Sequence, residues 1–216
     1  MNTIKFLSLR LLAAIIMATV SFNAYSQTSA SDKGVMINGV KWATRNVDAP
    51  GAFAAKSEDA GMFYQWNIKK GWQTSGKIPN WGGEINTKVD DWEKANDPSP
   101  AGWRMPTLDE MGTLFDADKV SNVWTTQNGI KGRKFTDKTT GNSIFLPAAG
   151  FCQLISWGSE EGTGECQRAG ELGYYWSGSS HWSIHGAFHM RFGSFTAPEC
   201  TNSARSLGYS IRSVAD

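Results

Sequence analysis

Three histidines, His181, His185 and His189, follow one another at four-residue intervals near the C-terminus, a spacing that invites a metal site. Regular backbone does not deliver one. On a helix His181 and His189 would stand about 12 Å apart at a rise of ~1.5 Å per residue, and on a strand each step of four spans roughly 13 Å. Gly178, Ser179, Ser180, Ser183 and Gly186 also argue against a helix. Only a folded loop gathers all three within coordination bonds of about 2 Å. The histidines are therefore read as ligand-contacting or solvated side chains, and no metal is assigned.

Other reactive groups fare no better. The serines of Ser177-Gly178-Ser179-Ser180 lack a G-x-S-x-G elbow, and His185 has no local acid partner. Asp90-Asp91 and Glu160-Glu161 are adjacent carboxylates of the kind that are usually solvated. Glycoside hydrolysis needs carboxylates at defined separations that a sequence does not display. Residues 158–164 are glycine- and glutamate-rich but lack the Gly-Lys-Ser/Thr ending of a phosphate loop, so they read as a surface turn. No catalytic residue and no cofactor is assigned.

Three cysteines, Cys152, Cys166 and Cys200, allow one disulfide and leave one thiol over in an oxidising compartment. Cys152–Cys166 is the local choice, worth about 3 kcal/mol on the loop-entropy argument; Cys152–Cys200 is the alternative.

That compartment follows from the N-terminus. Lys5 and Arg10 flank an apolar core over residues 11–20, and Ala24-Tyr25-Ser26 offers small residues at a cleavage site. Residues 1–26 read as a signal peptide, whose apolar run is too short for the ~20 residues of a membrane span. No cysteine follows the core, which argues against a lipid anchor. The expected product is exported, to the periplasm, cell surface or medium, with no membrane span after cleavage. Removing Lys5 and Arg10 from 21 basic residues against 20 acidic leaves the charge slightly negative. A near-neutral surface argues against non-specific nucleic-acid binding, which needs a basic face.

The elements that would position these residues read as follows. Residues 27–34 form a polar linker, and residues 35–216 a single domain with an adequate core at roughly 190 residues of mature chain. Asn38-Gly39 predicts a type I′ hairpin between Met36-Ile37 and Val40-Lys41-Trp42-Ala43, with Arg45-Asn46 as structural hydrogen-bonders beyond it. Residues 60–67 are an aromatic core segment or short strand. Residues 68–100 form a long polar excursion carrying Trp72, Trp81 and Trp92, which either stack on sugars or peptides or fold back to anchor the loop. A helix is expected within residues 102–116. Thr107 and Glu110 form its capping box, and Leu108, Met111, Leu114 and Phe115 its apolar face. Two strands and their turns occupy residues 127–147. The chain closes on Tyr209-Ser210-Ile211-Arg212-Ser213-Val214, an alternating half-buried strand expected to enter the middle of the fold.

Three stretches in order carry a resemblance. Trp42-Ala43-Thr44-Arg45-Asn46-Val47, then Gly102-Trp103-Arg104-Met105-Pro106-Thr107, then the final block from Tyr175-Trp176-Ser177-Gly178 to Tyr209–Val214 are similar to the Fibrobacter succinogenes major paralogous domain family. The resemblance covers nearly the whole mature chain. It implies an α+β, C-type-lectin-like fold, β-rich with few helices and long loops, used by bacterial surface and secreted proteins for binding. Its final strands then carry a ligand-facing surface, which in some relatives is diversified by retroelements. In this chain the expected ligand-facing residues are Trp182, His185, Phe188, His189, Arg191 and Phe195. Aromatics and Arg are the usual interface anchors. Ala187, Met190 and Phe192 would point inward, which needs a bulge near Phe188-His189. The implied function is non-enzymatic recognition of a protein or glycan ligand, with a structural part in a surface assembly as one alternative. Residues 102–107 also resemble a segment of the formylglycine-generating oxidases, which share this architecture and bind copper through two C-terminal cysteines; here Cys200 stands alone in that block. The calcium-bridging Glu-Pro-Asn, Gln-Pro-Asp and Trp-Asn-Asp motifs of sugar-binding animal lectins are missing.

Overall fold

A computed structural model describes residues 31–82, 89–156, 162–183 and 185–216. The expected signal peptide and residues 27–30 of the linker lie outside this range. Asn38 and Gly39 adopt φ values of 44° and 82°, the left-handed pair that a two-residue hairpin turn demands. They join β1 (Val35–Ile37) to β2 (Val40–Trp42). Short strands follow: β3 (Phe63–Tyr64), β4 (Gly71–Trp72), β5 (Lys77–Pro79) and β6 (Trp103–Arg104). Helix α1 (Leu108–Gly112) is next, and a 3-10 turn, Thr113–Phe115, extends it. Then come β7 (Val120–Gln127), β8 (Ile130–Asp137), β9 (Ser143–Pro147), β10 (Phe151–Ser156) and β11 (Thr163–Gln167). The chain finishes with β12 (Leu172–Ser180), β13 (Gly186–Gly193), β14 (Glu199–Ala204) and β15 (Val214–Ala215).

The described residues are thus β-rich, with one short helix and several small sheets. Their strand orders are β1-β2-β15-β6, β7-β8-β9, β10-β11-β5, β12-β13-β14 and β3-β4. The helix is shorter than residues 102–116, but both halves of its capping box form: Glu110 N–H donates to Thr107 Oγ1 and Thr107 N–H to Glu110 Oε2. Met111 and Leu114 are its buried anchors. Residues 127–147 hold β8 and β9 as expected, and β7 precedes them as a third strand.

The β12-β13-β14 sheet lies between two core clusters. Tyr175, Met190 and Phe192 enter one, with Met111, Leu114 and Phe135. Trp176 and Ala187 enter the other, with Trp66, Trp92 and Tyr209. A sheet buried on both faces has no solvent side along its middle, and this corrects two expectations. His189 is buried rather than ligand-facing. The bulge lies on β12, between Trp176 and Ser180, while β13 keeps an unbroken register with β14.

The terminal segment does enter the middle: β15 sits between β2 and β6, with Val214 opposite Trp42 on one side and Arg104 on the other. It is not half-buried, however. Ser210, Arg212 and Ser213 are as buried as Ile211. Arg212 remains inside because its fork is filled, donating to Asn46 Oδ1 (2.9 and 2.8 Å) and to the carbonyls of Ala43 (3.2 Å) and Phe145 (3.1 Å). Asn46 is therefore a structural hydrogen-bonder, as its position suggested. The end of the linker is also ordered, since buried Asp32 accepts from Gly34 N–H, Thr44 and Arg45.

The tryptophans of the long excursion anchor it. Trp72, Trp81 and Trp92 are all buried, with Trp72 against Trp81 (ring centroids 5.3 Å) and Trp92 against Trp66 (5.7 Å). Trp81 packs so closely on Gly164 of β11 that a Cβ there would lie 2.7 Å from the indole. Gly164 is thus a packing position and no surface turn; residues 158–161 of that expected turn fall outside the described range.

Candidate functional site

The expected ligand-facing residues do not form one surface. Strand β13 runs eight residues, about 24 Å at a ~3.4 Å rise, and the exposed aromatics stand beyond its opposite ends. Trp182 belongs to the β12–β13 connection and Phe195 to the β13–β14 connection. Trp182 is 90% exposed and Phe195 fully so. Between them, Phe188 is half-buried. Arg191 is exposed but held by Glu199 at 2.5 Å. His189 lies among the rings of Tyr209 (4.9 Å), Trp176 (5.7 Å) and Tyr174 (5.8 Å). Burial, with Arg191 nearby, pushes the His189 imidazole down to about 3, so it is neutral at neutral pH.

The Trp182 end is braced from below. His181 packs on Trp182 (4.7 Å) and on Phe188 (5.2 Å), and its Nδ1 accepts from Ser183 N–H. His181 N–H donates to Gly186 O, and Gly186 N–H to Ser183 O, closing the connection. Buried Arg205 holds its base: its backbone N–H donates to His185 O, its Nε to Gly186 O at 2.9 Å and its Nη2 to Val89 O. The guanidinium lies 4.1 Å from the centre of the Trp66 ring. His185 is exposed on this same connection.

A cleft of about 630 Å³ is lined in part by Gly178 and Ser179, at the end of β12 that leads into this connection. The β12 bulge builds one wall. Freed from β13, Gly178 N–H donates to Pro106 O (2.7 Å), Gly178 O accepts from Trp92 N–H (2.7 Å), and Ser180 N–H reaches Asp90 O. Ser179 Oγ accepts from Leu108 N–H at the start of α1. Trp92, Trp103 and Pro100 supply apolar lining; Asp91, Lys94, Asp97, Arg104 and Asp216 supply charge. Arg104 is held by both Glu110 oxygens (2.6 and 2.8 Å), which raises its pKa. Burial alone would raise the Glu110 carboxyl, but Arg104 and Thr107 outweigh it and hold it below the usual range. A cleft lined by apolar surface and a few fixed polar groups suits ligand binding. Sequence reasoning did not find it, because its walls come from four separate segments. The one local signal was the Asp97-Pro98-Ser99-Pro100 turn chemistry just ahead of Gly102.

The three cysteines do not fit a two-thiolate copper site. Cys152 and Cys166 are joined in a disulfide across β10 and β11, so Cys200 has no cysteine to pair with. Burial pushes its thiol up to about 11, away from the thiolate that binds metal. Among the described residues, no group of three or more His, Cys, Asp or Glu side chains could hold a metal ion. Among the same residues, no helix is long and apolar enough to cross a membrane.

Compared with known proteins, the chain matches no family model, no curated protein and no solved structure with significance.

Proposed function

We propose that this chain is an exported, non-enzymatic recognition module with a C-type-lectin-like fold of the Fibrobacter succinogenes major paralogous kind. In this reading it binds a protein or glycan ligand through the Trp182 connection and the adjoining cleft. The observation that carries it is the contrast among tryptophans. Trp42, Trp66, Trp72, Trp81, Trp92 and Trp176 are buried, and Trp103 and Trp124 are half-buried. Trp182 alone among the described tryptophans is exposed, on a connection tied down by Arg205 and His181. An indole turns about only two side-chain bonds and so loses little entropy when a ligand covers it, one reason tryptophan is enriched in binding hot spots. The cleft adds polar groups that can fix a ligand's orientation among apolar lining. Two of the three motif stretches of the resemblance support the same reading, because most of residues 102–107 line the cleft and residues 175–178 lead into it.

The test is a glycan and protein array probed with the mature chain, residues 27–216, beside Trp182→Ala and Ala101→Trp. The first removes the anchor; the second fills the cleft from an exposed position. A ligand bound by the parent chain and lost by both folded variants is the expected result. No ligand, or one that both variants retain, overturns the assignment.

A further inference from the structure

Strand β7 is the longest sheet edge in the molecule's described part that nothing covers. It pairs with β8 on one side only. The two-residue turn Asn128-Gly129 makes Gln127 and Ile130 a hydrogen-bonded pair, so Thr125, Val123 and Ser121 also spend their backbone groups on β8. Asn122, Trp124 and Thr126 consequently aim their N–H and C=O outward, while Val120 N–H is already spent on Asp116 O (2.8 Å). Proteins normally guard such an edge with charge, proline or a bulge. The sequence here, Val-Ser-Asn-Val-Trp-Thr-Thr-Gln, has none of these, and its register with β8 is unbroken over all eight residues. Val123, at its centre, is 55% exposed.

We propose that β7 is a homodimer interface, pairing antiparallel with β7 of a second copy about a two-fold axis at Val123. The strand is self-complementary in that register. Asn122 falls opposite Trp124 of the second copy, where both bonds are exchanged, and Thr126 opposite Val120, where Thr126 N–H meets the Val120 carbonyl. The exposed Val123 side chains meet each other on the axis as a non-hydrogen-bonded pair, where side chains come closest. Charge does not oppose the match: Lys119, just outside the strand, falls opposite an uncharged Gln127. Three-stranded β7-β8-β9 becomes a continuous six-stranded sheet.

Fully exposed Phe195 adds to the same junction. Buried Arg133, on β8, donates to Asn122 Oδ1 (2.6 Å) and to the carbonyls of Gly193 (2.6 Å) and Thr196 (3.1 Å). It thereby fixes the Phe195 turn beside Asn122, and so beside Trp124 of the second copy. Two Phe195 side chains bring about 300–500 Å², short of the ~1,000 Å² of a stable interface. Two paired strands with Val123 and Trp124 must supply the remainder, so the dimer is a weak, concentration-dependent one. Because Trp182 lies beyond the other end of β13, dimerisation leaves both Trp182 sites open and makes the module bivalent. This inference is independent of what Trp182 binds.

The test is sedimentation velocity of the mature chain from low micromolar to near millimolar concentration. The parent is expected to pass from monomer to dimer. Val123→Lys sets like charges face to face and is expected to weaken the dimer at least about tenfold. Val123→Glu should do the same, and an equimolar mixture of the two variants should dimerise again. Thr126→Pro removes one outward donor and no bond to β8, giving a second probe if the charged variants unfold. A parent that stays monomeric, or a dimer indifferent to both Val123→Lys and Thr126→Pro, overturns the proposal. So does a monomer whose Asn122, Trp124 and Thr126 amides resist hydrogen exchange, since another element of the same chain would then cover the edge.

Discussion

Replacing Arg212 tests the most heavily buried charge in the fold. Its guanidinium is out of water, with no carboxylate in contact, and satisfies three acceptors: Asn46 Oδ1, Ala43 O and Phe145 O. Arg212→Ala strands all three at about 1–3 kcal/mol each, and the vacated space adds about 2–4 kcal/mol. Part of this is returned. Burial pushes the Arg212 pKa down to about 10 from 12.5, so keeping the charge inside costs about 3 kcal/mol at ~1.4 kcal/mol per pH unit. The balance is a loss of about 5 kcal/mol, comparable with the whole stability of a marginal domain. Arg212→Met refills most of the space and removes the charge but leaves the same acceptors stranded, so it should still lose about 3 kcal/mol. Urea unfolding at neutral pH, followed by tryptophan fluorescence, measures both. If Arg212→Met is within about 1 kcal/mol of the parent, packing alone holds the site and the hydrogen-bond account is refuted.

Three further outcomes are expected. His189 is held neutral by burial, with its pKa down to about 3 from 6.5. Between those values the unfolded chain binds the extra proton, so stability is complete above about pH 6.5 and falls as pH drops toward 3, by about 4–5 kcal/mol in all. Unfolding midpoints across that window should slope for the parent and flatten for His189→Phe. Reducing Cys152–Cys166, with a sequence separation of 14, should cost about 3 kcal/mol; a Cys152→Ala/Cys166→Ala chain as stable as the oxidised parent in urea would contradict this. Thr107→Ala removes the acceptor for Glu110 N–H and should cost about 1 kcal/mol, visible as a melting shift of a few degrees.

Features dictated by neighbouring residues were legible in the sequence. Asn38-Gly39 and Asn128-Gly129 made their turns because only such residues take left-handed φ cheaply, and Thr107 and Glu110 found each other across one helical turn. Cys152 and Cys166 met because β10 and β11 pair them directly. What escaped was settled at long range. Ser210 and Arg212 look like the wet face of a strand, and Arg212 is buried only because partners from Ala43, Asn46 and Phe145 converge on it. His189 looked exposed for the same reason, since nothing adjacent announces that Tyr209 will lie over it. Strand β7 reads as polar because its inner and outer faces are both mixed, and the cleft escaped because residues 91–107 form it only together with the distant Gly178, Ser179 and Asp216.

The place of β15 has a bearing on how the molecule comes into being. The β1–β2 hairpin is made first, yet Trp42 has to wait for Val214, Tyr64 for Tyr209 and Val47 for Ile211. Everything emerging in between can form hairpins and turns but cannot seal the central sheet. Such long closures are slow and leave apolar surface uncovered meanwhile. If the chain is exported, as proposed above, the delay is useful: an unsealed polypeptide still fits a narrow channel, and the sheet locks only when its final strand arrives on the far side.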